Sequence, residues 1–302
     1  MESLAFAIYT SPGEEAQQSI WLLESLRAFG GQAAEAPATI VTPCPVEEFS
    51  KQEWEVLAEL GAEIIAFEME PEVRDFPLSA LPYAAAVAEE YFEGQAQAIA
   101  WLLLDTLVVN PLDSFFLPEG TSFAYRPVHH TLIGSPYNEP LDEYWSLIYH
   151  HCRVAEERVF PMETCVGDNV IRPYFNAGIL VARPEEGLFT TWRDAFDKLH
   201  RHPDFQPFYE RDSRYAVFMH QAVLSGVVLS LFTRDAMVEL PPTFNYPLHL
   251  HHAEMPPSIR PNILNDLTTG RYENHHELLE ALSSIEMKEP LKGWLEARFF
   301  SA

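Results

Sequence analysis

The chain has 302 residues, with 19 Lys and Arg against 45 Asp and Glu, a formal charge of −26 at pH 7. Recognition of a phosphate backbone needs clustered basic side chains, so this balance excludes a nucleic-acid binder and disfavours docking on an anionic membrane. Apolar residues make up 47%, enough for a sizeable core in one large domain. Cys44, Cys152 and Cys165 are too few and too far apart for a disulfide framework or a thiolate metal site. The first residues are acidic, with too short an apolar run for a signal peptide. The longest apolar stretches, 98–104 and 222–232, fall short of the ~20 residues of a membrane helix. A cytoplasmic protein without an integral membrane segment is expected.

The first third alternates strand and helix. An apolar strand over 4–9 meets the Ser11-Pro12-Gly13 turn, and 14–29 carries Ile20, Leu23, Leu26 and Phe29 at helical spacing before Gly30-Gly31. A strand over 38–41 precedes a helix over 46–60, in which Phe49, Trp54, Leu57 and Leu60 recur on one side up to Gly61. A third strand (63–67), an alanine-rich helix (78–92) and a fourth strand (98–104) follow. The first and fourth strands lack polar alternation, which marks strands buried on both faces of a parallel sheet. Beyond residue 110 the pattern loosens. Segments 118–139 and 202–213 read as loops, separated by helices at 141–158 and 187–200 and a strand at 175–181. A helix over 215–224, an extended segment over 237–252 and a helical tail over 273–300, broken by Pro290, complete the chain. No internal repeat or flexible linker separates the halves.

Candidate chemistry begins where the fourth strand runs into Asp105-Thr106-Leu107-Val108-Val109-Asn110-Pro111-Leu112. In open α/β sheets ligands bind outside the carboxyl ends of strands. A carboxylate there can hold a divalent metal or a sugar hydroxyl, or cap a turn. Tyr174-Phe175-Asn176-Ala177-Gly178 enters an apolar strand. That segment supplies an amide with donor and acceptor beside a position lacking a side chain, or else a simple turn. His220-Gln221 lies on a helix, and Leu240-Pro241-Pro242-Thr243-Phe244-Asn245-Tyr246 follows. In Leu248-His249-Leu250-His251-His252, a strand would put His249 and His251 on one face at metal-ligand spacing. The chain has 12 histidines, several of them in doublets, so this spacing alone is a weak signal.

Taken in order, these segments resemble glycosyltransferases of the GT-A fold, particularly the glycogenin-like retaining family. Asp105 matches the second carboxylate of that family's Asp-x-Asp motif, with Leu103 at the first. His220 replaces the Asp of its Asp-Gln pair. The resemblance implies a GT-A-like (Rossmann-like) α/β fold, a mainly parallel sheet flanked by helices, over 1–255, with a helical extension over 256–302. It implies transfer of a sugar from a nucleotide-diphosphate-sugar donor to an unknown sugar or protein acceptor. Asp105, Asn176 and Gln221 would be the catalytic residues. Asp105 with His249 or His251 would hold Mn²⁺ or Mg²⁺. Thr10, Ser11, Gly178 and Asn245 would contact the nucleotide sugar, although Thr10 and Ser11 serve equally as a helix cap before Glu14-Glu15. The alternative is a non-catalytic GT-A protein binding a nucleotide sugar or a protein partner, as the two substituted carboxylates would suit. A nucleotidyltransferase is remote, because Ser11-Pro12-Gly13-Glu14-Glu15 is the wrong charge for its basic glycine loop. The sequence also lacks a Walker loop, a Gly-x-Ser-x-Gly elbow and His-Glu-x-x-His.

Overall fold

The computed structural model describes residues 3–167 and 169–300. Its strands are β1 (Leu4–Tyr9), β2 (Ala38–Thr42), β3 (Ala62–Ala66), β4 (Ala98–Leu102), β5 (Thr106–Val108), β6 (Phe123–Pro127), β7 (Met162–Glu163), β8 (Val170–Ile171), β9 (Phe175–Ala182), β10 (Met237–Glu239), β11 (Tyr246–Pro247) and β12 (Thr269–Arg271). The helices are α1 (Glu14–Phe29), α2 (Lys51–Glu59), α3 (Pro71–Arg74), α4 (Ala80–Phe92), α5 (Glu143–Cys152), α6 (Leu188–Leu199), α7 (Gln206–Arg211), α8 (Arg214–Val217), α9 (Met219–Leu231), α10 (His275–Ser284) and α11 (Leu291–Leu295). None is long and apolar enough to cross a membrane.

The central sheet has seven strands in the order β10-β6-β9-β4-β1-β2-β3. Its pairs are parallel except around β9, which runs against both β4 and β6. This is the α/β, mainly parallel sheet flanked by helices that the apolar strands lead one to expect. The second half of the chain is threaded into the first, since β9 and β6 extend the sheet beyond β4. Alternate residues of each strand serve different layers. Ala5, Ala7, Ile99 and Trp101 pack with α4, α6 and α9, whereas Phe6, Ile8, Ala100 and Leu102 pack with α1 and Leu57 of α2. A third cluster joins Leu107 and Val109 to Leu264, Leu278, Leu282 and Leu295.

Several elements differ from their sequence expectation, each for a local reason. The helix expected over 46–60 is two pieces, because Ser50 caps α2 with a reciprocal Ser50/Glu53 capping box and Phe49 is extended. Leu78 has φ 54°, so α4 starts at Ala80. The segment 118–139 contains β6, whose Arg126 and Pro127 disguise an otherwise apolar strand. Arg126 is tolerated there because Nη1 donates to Glu239 Oε1 and to the Leu240 carbonyl, both at 2.7 Å. The segment 202–213 contains a 3-10 turn (Pro203–Phe205) and α7, each with proline in its first turn. The helix expected over 141–158 stops at Cys152, where Arg153 adopts φ 59°, and the one expected over 215–224 is α8 plus a longer α9.

Helix α6 begins at Gly187 with no side-chain cap of its own. Glu89 of α4 supplies one from outside, accepting the Phe189 N–H at 3.0 Å and the Thr190 N–H at 2.7 Å. Glu89 is buried, so its removal leaves two N–H groups unsatisfied. Glu89→Ala is expected to destabilise the fold by about 1–3 kcal/mol in urea unfolding, with Glu89→Gln losing less. A loss in Glu89→Ala within the error of the measurement contradicts this role.

Candidate functional site

At the carboxyl edge of β1 and β4 the sheet opens into a cleft of about 430 Å³. It lies where open α/β sheets place their ligands. Strand β4 ends at Leu102, short of the expected 98–104, and the chain turns through Leu104 and Asp105 into β5. Because β9 is antiparallel, its beginning lies at this same edge, and the Leu103 N–H donates to the Gly178 carbonyl at 3.1 Å. Asp105, Asn176, Gly178, Gln221 and His249 therefore all line one cleft.

The beginning of β9 is held by side chains. Trp101 Nε1 donates to the Ala177 carbonyl at 3.1 Å, and the Ala177 N–H donates to Gln221 Oε1 at 3.0 Å. One helical turn on, Ser225 Oγ accepts the Phe175 N–H at 3.1 Å. These bonds replace ladder bonds where the β6–β9 register shifts near Phe175. Gln221 thus spends its carbonyl oxygen on the backbone, and its NH₂ lies between the Tyr174 hydroxyl and the cleft.

The centre of the cleft is a residue absent from every sequence motif, Arg271. Strand β12 pairs antiparallel with β5, Arg271 opposite Thr106, which brings the guanidinium beside Asp105. Arg271 Nε donates to Asp105 Oδ2 at 3.0 Å, and Nη1 to Asn176 Oδ1 at 3.3 Å. The two charged side chains are 24% and 16% exposed. Among the described residues Nη2 donates to no protein group. Asp105 Oδ1 and His249 Nδ1 are buried without hydrogen-bond partners among the described residues. The acidic groups Glu15 and Glu273 also line the cleft. A sequence signal for Arg271 would have required knowing that 269–271 forms a strand, and three residues beside Gly270 do not announce one.

Other expected site residues lie elsewhere. Thr10 is fully buried, its N–H donating to the Val41 carbonyl, and it does not line the cleft. Ser11 does not line it either, and its N–H is held by Glu15 Oε2 at 2.8 Å. Nor do these two cap α1, whose N-cap is Gly13. Tyr9 and Glu15 take the cleft positions at this end. Asn245 sits behind the cleft, with φ 53°, and its carbonyl accepts from His129 Nε2 at 2.8 Å. The expected strand over 237–252 is only β10 and β11, and 248–250 is a 3-10 turn. The same-face argument for His249 and His251 consequently fails. His251 is buried with Nδ1 2.8 Å from the Tyr246 hydroxyl, whereas His249 alone lines the cleft, with Nε2 3.4 Å from Glu273.

Three imidazoles of the lining are held neutral. Burial, helped by Arg271, pushes His129 down to about 3, and burial pushes His220 down to about 4 against its bond to the Val217 carbonyl. Burial also lowers His249. Free imidazoles titrate near ~6.5. Below that pH the unfolded chain takes up protons that the native chain refuses, so this stability is complete above about pH 6.5 and is lost toward pH 4.

The fold is that of an α/β protein with a mainly parallel sheet and a cleft at its carboxyl edge. The sequence profile of the Rhodobacterales glycosyltransferase domain matches residues 6–230, and the chain belongs to that family. No curated protein matches it. Asp105, Asn176, Gly178 and Gln221 fall within the matched span, while His249, Arg271 and Glu273 come from beyond it.

Two outcomes are expected. A Cβ on Gly178 would stand 2.8 Å from Arg271 Nη1 and 2.9 Å from Asn176 Oδ1. The guanidinium can move aside but Asn176, bonded to the Gly178 N–H, must shift with it, so Gly178→Ala should cost about 1–3 kcal/mol of stability, displace Arg271 and weaken nucleotide binding at least tenfold by calorimetry. Undiminished binding refutes the placement of Arg271. His129→Gln should also shed about one proton from the pH dependence of urea stability between pH 6.5 and 4. An unchanged slope relative to the parent would show that His129 is not held neutral.

Proposed function

We propose that this glycosyltransferase-family chain uses a nucleoside-diphosphate sugar as donor, in the manner of the GT-A, glycogenin-like enzymes it resembles, and moves the sugar to a hydroxyl of a sugar or protein acceptor. The observation that carries the reading is the meeting of Asp105, Asn176, Gly178 and Gln221, from the β4–β5 turn, β9 and α9, beside Arg271 in one cleft. Transfer breaks the bond between the anomeric carbon and the diphosphate oxygen, with the electron pair leaving on the diphosphate. The acceptor oxygen bonds to that carbon and its proton passes to solvent. Negative charge grows on the leaving oxygen, so a preorganised cation beside it lowers the barrier. Arg271 is that group, held in place by Asp105 and Asn176, with Nη2 donating to none of the described residues. The NH₂ groups of Asn176 and Gln221 donate to sugar hydroxyls, and no covalent nucleophile is needed.

The lining carries Glu15, Asp105 and Glu273 against Arg271, so an arriving diphosphate is better accommodated with an added cation. Asp105 Oδ1 and His249 Nδ1, buried and with no hydrogen-bond partner among the described residues, are the groups of this lining that would hold Mn²⁺ or Mg²⁺, with the diphosphate and water completing the ligand set. Such an ion would act as a Lewis acid on the diphosphate.

Thermal-shift titration with UDP, GDP, UDP-glucose and UDP-galactose, each with Mn²⁺ and with EDTA, tests the reading. A ligand at 100 times its Kd stabilises by about 2.7 kcal/mol, a clear shift. One nucleotide should shift the transition and its sugar derivative should release nucleoside diphosphate. Arg271→Gln should reduce release by about 100-fold, equivalent to about 2.7 kcal/mol, and Arg271→Lys less. No shift with any nucleotide refutes the donor class. Binding without release, with or without an acceptor extract, favours a non-catalytic sugar-nucleotide binder.

A further inference from the structure

Away from the cleft, the end of α5 and the connection between α6 and α7 bring together His151, His202 and Asp204. His151 occupies the last turn of α5, and His202 caps the 3-10 turn that contains Asp204. One ligand atom from each residue lies within 4.8 Å of the others. His151 Nε2 and His202 Nδ1 are each 3.5 Å from Asp204 Oδ2. A charge-assisted N–H···O bond would be shorter, about 2.7–2.9 Å. Ligands about 2.0–2.1 Å from one tetrahedral ion stand roughly 3.3 Å apart, close to the two His–Asp separations.

The donor states agree with that spacing. The Asp204 N–H lies 3.4 Å from His202 Nδ1, so this nitrogen is unprotonated, and an ion would take its lone pair in place of that long capping bond. His151 Nε2 is buried and makes no hydrogen bond to any described residue. The two rings touch, with centroids 4.6 Å apart, and Phe205 backs both at 5.9 and 6.4 Å. A cavity of about 460 Å³ borders His151 and His202, leaving room for a water as fourth ligand. Arg153 and Lys198 on its rim oppose a hard cation bound by charge alone. Imidazole nitrogens select for zinc-like transition ions instead.

We propose that His151, His202 and Asp204 form a binding site for a divalent transition-metal ion of the zinc class, which ties the end of α5 to the α6–α7 connection. It is separate from the cleft and independent of any nucleotide-sugar chemistry. The test titrates the chelator-treated full chain with Zn²⁺ by calorimetry and records the visible spectrum with Co²⁺. One equivalent should bind with tetrahedral Co²⁺ absorption, and Zn²⁺ should raise the melting temperature. His202→Ala and Asp204→Ala should each weaken binding at least tenfold and abolish the absorption, while Asp105→Ala and His249→Ala keep both. His202 is 37% exposed, so its replacement should leave the fold intact by circular dichroism. Absence of stoichiometric binding overturns the proposal, as does binding unchanged in both His202→Ala and Asp204→Ala.

Discussion

The ion pair between Arg271 and Asp105 is the constraint around which the cleft is arranged. It closes a loop of 166 residues, joining the carboxyl end of the central sheet to the small β11-β12-β5 sheet. Neither partner is fully exposed, so the pair keeps part of its Coulombic strength, and losing one member would strand the other charge. The same guanidinium lies against Gly178 and bonds Asn176, which explains why that stretch of β9 needs a position without a side chain. Burial, with Arg271 adding to it, lowers the neighbouring imidazoles, which stay neutral and add no repulsion to the guanidinium.

A second constraint keeps that arrangement rigid. Around the register shift between β6 and β9, the backbone of β9 takes its hydrogen bonds from Trp101, Gln221 and Ser225. An amide that looks available for substrate in the linear sequence is half committed to structure. The link runs on through Trp192, whose Nε1 donates to the His220 carbonyl, and α6, whose first turn is capped by Glu89. Helices packed on one face thereby set the position of the cleft edge.

The residues that read most clearly as fold were those with an unbroken physical pattern. The apolar runs of β1 and β4 could only be strands buried on both faces, and the spacing in α1 ended at glycines that the structure uses. Strand β6 was hidden because Arg126 reads as surface until its partner Glu239, 113 residues away, is known. Around the cleft, Asp105, Asn176, Gly178, Gln221 and His249 were marked by local motif, and all line it. Thr10, Ser11, Asn245 and His251 were marked in the same way and do not, since burial and neighbouring partners turn them to other tasks.

The linear order of residues by itself determined the alternation of strand and helix, the parallel sheet and the carboxylate at its edge, because periodicity and turn chemistry act within a dozen residues. Only the tertiary structure decided which polar groups face one another. Arg271 reaches Asp105 through a three-residue strand pairing, and His151 meets Asp204 across two helix ends. Both depend on contacts between segments far apart in the chain, and a hydrogen bond or ligand set leaves no periodic trace in either segment alone.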